Sequence, residues 1–223
     1  MTDRRPADRY HHGDLRNALI DAATALAREG GPDAVVLRAV ARRVGVSAAA
    51  AYHHFAGHEE SIEEVKHRSL AILTENMRLA LQDLPEHTGP TGGSAAADEA
   101  RGRLRALGTA YLRFAFDEPG LFRLAFGPRG HWPTAEPSES EDETKEDPFV
   151  LLAGVLDQTV TAGVVPAERR AGLEYTLWAA VHGIAVLCLD GPLARLDAAE
   201  REQLVDRVLE TTIRGLQPGP ALA

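Results

Sequence analysis

Apolar side chains recur at three- and four-residue intervals along most of the chain, which is the period of an amphipathic α-helix. The first such stretch, DLRNALIDAATALAREGG, predicts a helix from Asp14, a candidate N-cap, to a stop at Gly30. VVLRAVARRVG predicts a short second helix that ends at Gly45, and a third helix is predicted from Ser47 to Phe55. No segment shows convincing strand alternation, so the predicted fold is all-α.

Further helical patterns follow the third helix. We predict helices over 59–82, 104–116, 149–162, 166–189 and 197–216, with a short helical piece over 120–126. The stretch 84–98 is rich in Pro, Gly and Ser and predicts a loop. Residues 127–147 combine Pro and Ser with an acidic run and predict a mobile loop, whereas the tail 218–223 is expected to fray.

Two short helices joined by a glycine form the central motif, LRAVARRVGVSAAAAYHHF. Gly45 permits a left-handed backbone conformation at the corner, and the Ser47 hydroxyl can cap the helix that follows. This geometry predicts a helix-turn-helix, in which the second helix of the pair enters the major groove of DNA. An ordinary helical pair joined by glycine is the alternative.

The predicted reading helix carries the run AAAA. Alanine is the best helix former, and its narrow side chain lets the backbone lie deep in the groove. Ala48 and Ala49 can meet thymine methyl groups, but they cannot donate a hydrogen bond to a base edge. Polar contacts to DNA are therefore expected from Ser47 and from Arg38 and Arg43 on the preceding helix.

The motif runs through YHHFAGHEESI into a long helix, and this arrangement resembles the TetR family of transcriptional regulators. Three features carry the resemblance: a valine-serine cap, an aromatic-x-His-Phe closure and a glutamate that opens the fourth helix. The matching residues are Val46, Ser47, Tyr52, His54, Phe55 and Glu59. The leading YHHGDLR and the later WAAVHG resemble the branch of the family with a WHG-type C-terminal domain. The resemblance implies that Tyr52 and His53 contact phosphate, and packing without a DNA contact is the alternative for Tyr52.

Three positions depart from the family pattern. Val36 stands where a Ser or Thr usually caps the second helix and meets a phosphate, and Ala51 replaces a larger aliphatic residue. His58 occupies the phosphate-pairing position that usually holds a lysine, and a histidine is largely neutral at pH 7. A competing hypothesis is therefore a helical ligand-binding or scaffold protein whose DNA-reading motif is weakened.

A single helix-turn-helix reads few base pairs, so useful specificity requires a two-fold homodimer on a pseudo-palindromic operator in double-stranded DNA. By resemblance, the last two long helices of each subunit form a four-helix bundle. The predicted dimer contacts are Leu187, Leu204, Val208, Leu209 and Ile213. An intramolecular core is the alternative for these side chains.

Aromatic residues are frequent between the DNA-reading motif and the last helices. Trp178 and His182 lie four positions apart, on one helical face, where they can orient a small apolar ligand. The full set of predicted ligand contacts is Tyr111, Phe114, Phe122, Trp178 and His182. A buried histidine with its hydrogen bonds satisfied by the protein is the alternative for His182.

Charge and composition limit the function classes. The net charge is −9, yet the first sixty residues carry eight Arg and no Lys against eight Asp plus Glu, so the remainder carries the whole excess. Cys188 is the only cysteine, and we find neither a hydrolase, phosphate-loop or zinc motif nor an apolar run of membrane-spanning length. We expect a cytoplasmic, non-enzymatic regulator without cofactor or metal.

The expected organisation has four parts. Residues 1–13 form a disordered basic arm, residues 14–60 the helix-turn-helix domain, and residues 61–217 a helical regulatory and dimerisation domain, followed by the tail. By resemblance, a small molecule is expected to release the protein from its operator, and the resemblance favours repression over activation.

Overall fold

The computed structural model describes residues 12–55, 57–84, 93–127 and 147–216, and gives the backbone alone for residues 12–14 and 58. Within these ranges the chain forms nine α-helices and no β-strand, which confirms the predicted all-α class. The helices are α1 His12–Gly30, α2 Leu37–Val44, α3 Ala48–His54, α4 His58–Gln82, α5 Ser94–Asp117, α6 Pro119–Phe126, α7 Pro148–Thr161, α8 Leu173–Leu189 and α9 Ala198–Arg214. Single turns of 3-10 helix lie at Pro32–Ala34 and Ala167–Arg169.

Helix α1 begins at His12, two residues before its predicted N-cap. The prediction for Asp14 is therefore wrong, and this residue lies inside the first turn of the helix. The predicted basic arm falls on residues 1–11, outside the described residues, and on the first turn of α1. The predicted loop 127–147 and the tail 218–223 also lie outside the described residues, except for Gly127 and Asp147.

Two other helix boundaries differ from the prediction. Helix α5 begins at Ser94 rather than at Leu104, because the alanines after Gly93 favour helix more strongly than the neighbouring glycines oppose it. The predicted helix over 166–189 is divided into a 3-10 turn and α8. Gly172 separates them with φ 75°, a left-handed conformation that an α-helix does not contain.

The described chain divides into two compact units. The first unit holds α1, α2, α3, α4 as far as Ser69, and α6 from Gly120. Its core contains Leu19, Val40, Ala51, Phe55, Val65 and Leu121, each at most 2% exposed. Arg16 of α1 connects to α4 through Glu64, and its guanidinium lies 5.4 Å from the centre of the Phe55 ring.

Helix α6 packs directly on the end of α1, a contact that the sequence did not predict. A Cβ atom added to Gly120 would lie 2.0 Å from the carbonyl oxygen of Ala27. Only glycine allows this approach of the two backbones. The helix-turn-helix is thus supported by a short helix that comes from much later in the chain.

The second unit holds α4 from Leu70, together with α5, α7, α8 and α9. Gly108 lets α9 approach α5, because a Cβ atom at that position would lie 2.5 Å from the Cδ2 atom of Leu209. Asp197 and Glu200 form a capping box at the start of α9, with hydrogen bonds of 2.9 and 3.0 Å. None of the described helices is long and apolar enough to cross a membrane.

Candidate functional site

The helix-turn-helix in the first unit has the predicted corner. Gly45 adopts φ 81° and ψ 25° after α2, and Ser47 has an extended backbone before α3. The Ser47 hydroxyl accepts a hydrogen bond of 3.1 Å from the backbone N–H of Ala50. This bond satisfies one of the donors that a helix leaves open at its N-terminus, so both predicted roles are confirmed.

The alanine helix presents two different faces. Ala51 is fully buried, whereas Ala49 is exposed and Ala48 is half-buried. Tyr52 is 52% exposed and His53 is also exposed, while Phe55 belongs to the core. The exposed face therefore combines methyl groups with one phenol and one imidazole. These are groups that can meet thymine methyls and phosphate oxygens.

Helix α2 adds a positive edge beside that face. Arg38, Arg42 and Arg43 are all exposed. Arg43 donates bonds of 2.8 and 2.7 Å to the two carboxylate oxygens of Glu29, near the end of α1. This bidentate pair raises the pKa of Arg43 and lowers the pKa of Glu29, chiefly through the side-chain hydrogen bonds.

The positions that depart from the family pattern can be placed in part. Val36 is the N-cap residue of α2 with φ −103° and ψ 127°, it makes no side-chain cap bond, and it is 49% exposed. Ala51 fills its buried site without a larger side chain. His58 begins α4, but its side chain lies outside the described part of the structure.

In the second unit, Tyr111, Trp178 and His182 form a hydrogen-bonded cluster. The indole Nε1–H of Trp178 donates to the Tyr111 hydroxyl oxygen at 3.2 Å, and that hydroxyl lies 2.9 Å from Nδ1 of His182. An indole N–H can only donate, so the phenol proton is available for Nδ1, which then accepts. Burial lowers the pKa of His182 and raises the pKa of Tyr111, and both shifts favour these neutral forms.

The other predicted ligand contacts occupy different surroundings. Phe114 is buried in α5, whereas Phe122 belongs to the first unit, where its ring centre lies 5.2 Å from that of Phe126. Phe149, which the sequence did not assign to the site, packs edge-on against Trp178 with ring centres 6.3 Å apart. The aromatic cluster is therefore a hydrogen-bonded core of α5, α7 and α8.

A cleft of about 240 Å³ opens between α4, α5 and α7 in the second unit. The residues that line it are Arg78, Leu81, Arg103, Asp147, Val150, Leu151, Gly154, Val155 and Gln158. The sequence prediction missed this site, since it followed aromatic residues. No local pattern singles out Arg78 and Arg103, and Arg103 lay outside the predicted helix over 104–116.

The predicted dimer contacts separate into two groups. Leu209 and Ile213 are 4% and 7% exposed within a single chain, so they belong to the protomer core. Leu187 is 41% exposed, and Leu204 and Val208 are partly exposed. Of the five predicted contacts, only these three side chains retain exposed surface for a second copy. The alternative of an intramolecular core fits Leu209 and Ile213.

Two family models match the chain. Residues 19–65 match the model for bacterial regulatory proteins of the tetR family, and residues 104–212 match the tetracyclin repressor-like C-terminal domain. Together they span more than two thirds of the sequence. The chain belongs to the TetR family. This TetR-family protein is a transcriptional regulator with a DNA-binding helix-turn-helix and a helical C-terminal domain.

Solved structures agree with the TetR fold. A Rhodococcus protein of unknown function matches with a TM-score of 0.72 and 27% identity over 95% of this chain and 100% of that chain. PfmR, a TetR-family regulator from Thermus thermophilus, has a TM-score of 0.56 and 20% identity, with 90% and 99% covered. A TetR variant from Acinetobacter baumannii in complex with minocycline has a TM-score of 0.59 and 18% identity, with 94% and 96% covered. No curated protein matches the chain.

Proposed function

We propose that this TetR-family regulator is a repressor that binds a pseudo-palindromic operator as a homodimer and is released by a small molecule. The observation that carries the proposal is the exposed face formed by α2 and α3, with capping by Ser47. Its phosphate contacts are assigned to Arg38, Arg43, Tyr52, His53 and His58. Its base contacts are assigned to Ser47, Ala48 and Ala49.

The face offers few donors to base edges and several cations to the backbone. Operator affinity should therefore depend strongly on salt, because arginines that neutralise phosphates release counterions. Base specificity rests on the methyl groups and the Ser47 hydroxyl, which supply little hydrogen-bond readout. Two half-sites in one operator compensate for this by doubling the sequence that is read.

Helix α8 carries the surface that we assign to self-association. Tyr175, Ala179, Val186 and Leu187 are exposed at helical spacing. Gly183 lies in the same row, and a Cβ atom at that position would meet no atom of the chain within 4 Å. An apolar row with a small residue at its centre suits close approach of the same helix from a second copy.

Release by a ligand needs an element that belongs to both units. Helix α4 meets this need, since it runs continuously from His58 to Gln82 and contributes residues to both units. A ligand that binds one arrangement of α4 more tightly shifts the population by no more than its differential affinity. The structure with minocycline is a precedent in another protein of this fold.

The proposal is tested by fluorescence anisotropy on labelled duplexes tiled across the DNA that flanks the gene. Wild-type protein should bind at least one duplex in low salt, and the affinity should fall as the salt concentration rises. Arg43→Ala and Tyr52→Ala should weaken binding at least several-fold, whereas Arg195→Ala, an exposed arginine of the second unit, should not. If the protein bound none of the duplexes, the competing role of a helical ligand-binding protein would be favoured. The Val36 position, which makes no cap bond, already points to that role.

A further inference from the structure

We infer that the cleft between α4, α5 and α7 binds a small, partly apolar monocarboxylate, and that Arg103 holds its carboxylate group. This inference rests on the proposed function, since it names the ligand class for the regulatory unit. It places the ligand against arginines of α4 and α5 rather than against the aromatic cluster that the sequence predicted.

Arg103 provides the first observation. Its Nε atom is buried and has no hydrogen-bond partner in the described part of the chain. A buried donor that lacks a partner destabilises a protein, and a charged donor does so more strongly. The Nε–H and one terminal N–H of a guanidinium form a fork that matches the two oxygens of a carboxylate. A rotation of the Arg103 side chain would present this donor to a carboxylate in the cleft, which would then satisfy it.

The charged groups of the lining leave one arginine for an anion. Arg78 and Arg103 face the cleft together with one acidic residue, Asp147. The Asp147 carboxylate already accepts a 2.7 Å hydrogen bond from the backbone N–H of Phe149, where it caps α7. Arg78 is paired with Glu75, one turn earlier on α4. Arg78 is thus balanced by Glu75, so Arg103, with its one open donor, is the group left to take a single carboxylate.

The remaining lining is apolar and the space is small. Leu81, Val150, Leu151 and Val155 form a wall beside the charged groups. The cleft, at about 240 Å³, is smaller than the roughly 300–1,000 Å³ of typical drug-sized sites. It fits a short alkyl or single-ring acid whose apolar part contacts the wall. Both features distinguish it from a site for a large or multiply charged ligand.

Gly154 keeps part of the cleft open. It lines the site on α7, and a Cβ atom added to it would meet no atom of the chain within 4 Å. The first carbon of a side chain there thus lies in open space, and a longer side chain is expected to extend into the cleft. Because alanine and leucine also favour helix over glycine, Gly154→Leu should fold at least as well as the wild type.

The experiment is isothermal titration of the full-length protein with hexanoate and benzoate, each against its matched amide, hexanamide and benzamide. We expect at least one acid to bind the wild type at least tenfold more tightly than its amide. Arg103→Met should abolish that preference and Gly154→Leu should abolish binding, with thermal melting as the check on folding. Arg101→Met is the matched control, since Arg101 lies on the same helix, pairs with Asp98 and does not line the cleft.

Four results would each overturn the inference. They are equal binding of acids and amides, a preference for the acid that survives in Arg103→Met, no binding of any probe, and tighter binding of hexyl phosphate than of hexanoate. The titrations contain no DNA, so they are independent of operator binding. Acid binding without any DNA binding would contradict the proposed function alone. DNA binding without acid binding would contradict this inference alone.

Discussion

Arg43 of α2 and Glu29 of α1 form a bidentate ion pair, in which both terminal guanidinium nitrogens donate to the carboxylate at 2.8 and 2.7 Å. Both side chains are exposed, on the surface that we assign to DNA. The cation expected to neutralise a phosphate is therefore already neutralised by a neighbouring carboxylate. Glu29 competes with DNA for Arg43 and adds a negative charge to the same surface.

We predict that Glu29→Gln binds operator DNA several-fold more tightly than the wild type. Without the competing carboxylate, Arg43 should neutralise a phosphate more completely, which should steepen the plot of log affinity against log salt by at most about 0.9. Anisotropy titrations at four salt concentrations measure both quantities. Glu168→Gln makes the same charge change at an exposed site in the second unit and should alter neither. Weaker binding by Glu29→Gln would instead mean that the carboxylate positions the guanidinium for DNA.

The N-cap of α2 offers a gain of stability. Val36→Thr keeps a β-branched side chain of similar size and adds a hydroxyl at a residue that already has the extended backbone of an N-cap. The hydroxyl should stabilise the protein by about 1 kcal/mol, and it should also tighten DNA binding through a phosphate contact. Urea denaturation measures the first effect, with Val36→Ala as the control without a hydroxyl. Equal stability of the Thr and Ala variants would show that no cap bond forms.

Helix α8 allows a direct test of self-association. Leu187→Glu places a charge in the exposed apolar row and should convert the dimer into a folded monomer, because a buried unpaired charge is strongly unfavourable. Sedimentation velocity gives the mass, and circular dichroism shows whether the fold is kept. Leu79→Glu introduces the same change at another exposed leucine, on α4, and should leave the dimer intact. A dimer that survives Leu187→Glu would exclude this face as the interface.

Burial of His182 makes stability depend on pH. Burial lowers the pKa of His182 below its usual 6.5. Between the two pKa values, the unfolded chain therefore binds a proton at His182 and the folded chain does not. The stability is complete above 6.5 and is lost as the pH falls through that value toward the lower folded pKa. Urea denaturation between pH 8 and pH 5 should show a steeper loss for the wild type than for His182→Gln. His67→Gln, at an exposed histidine of α4, should keep the wild-type slope.

The DNA-reading motif was predictable from sequence because its geometry depends on local residues. Gly45 sets the corner and Ser47 sets the start of α3, and each acts within a few residues of its own position. The helix pattern likewise follows from apolar periodicity. The N-terminus of α5 was misplaced because glycines next to alanines give opposite signals, and the prediction gave too little weight to the helix propensity of the alanines.

The long-range contacts could not be predicted. Gly120 against Ala27, Leu209 against Gly108 and Arg43 against Glu29 each join residues from different helices, and a single sequence carries no signal for such pairs. The same limit applies to the proposed ligand site. Trp178 and His182 share a helical face, as expected, yet their polar atoms bond to Tyr111 of another helix, while the cleft lies beside Arg103.

The most direct test of the account is the mass and footprint of the protein on its best duplex. Sedimentation of the complex should give two protomers per duplex. Hydroxyl-radical footprinting should show two protected half-sites whose centres are about 10 base pairs, or a multiple, apart, and Tyr52→Ala should lose both. A single protomer on the duplex, or one protected patch without a symmetric partner, would contradict the account.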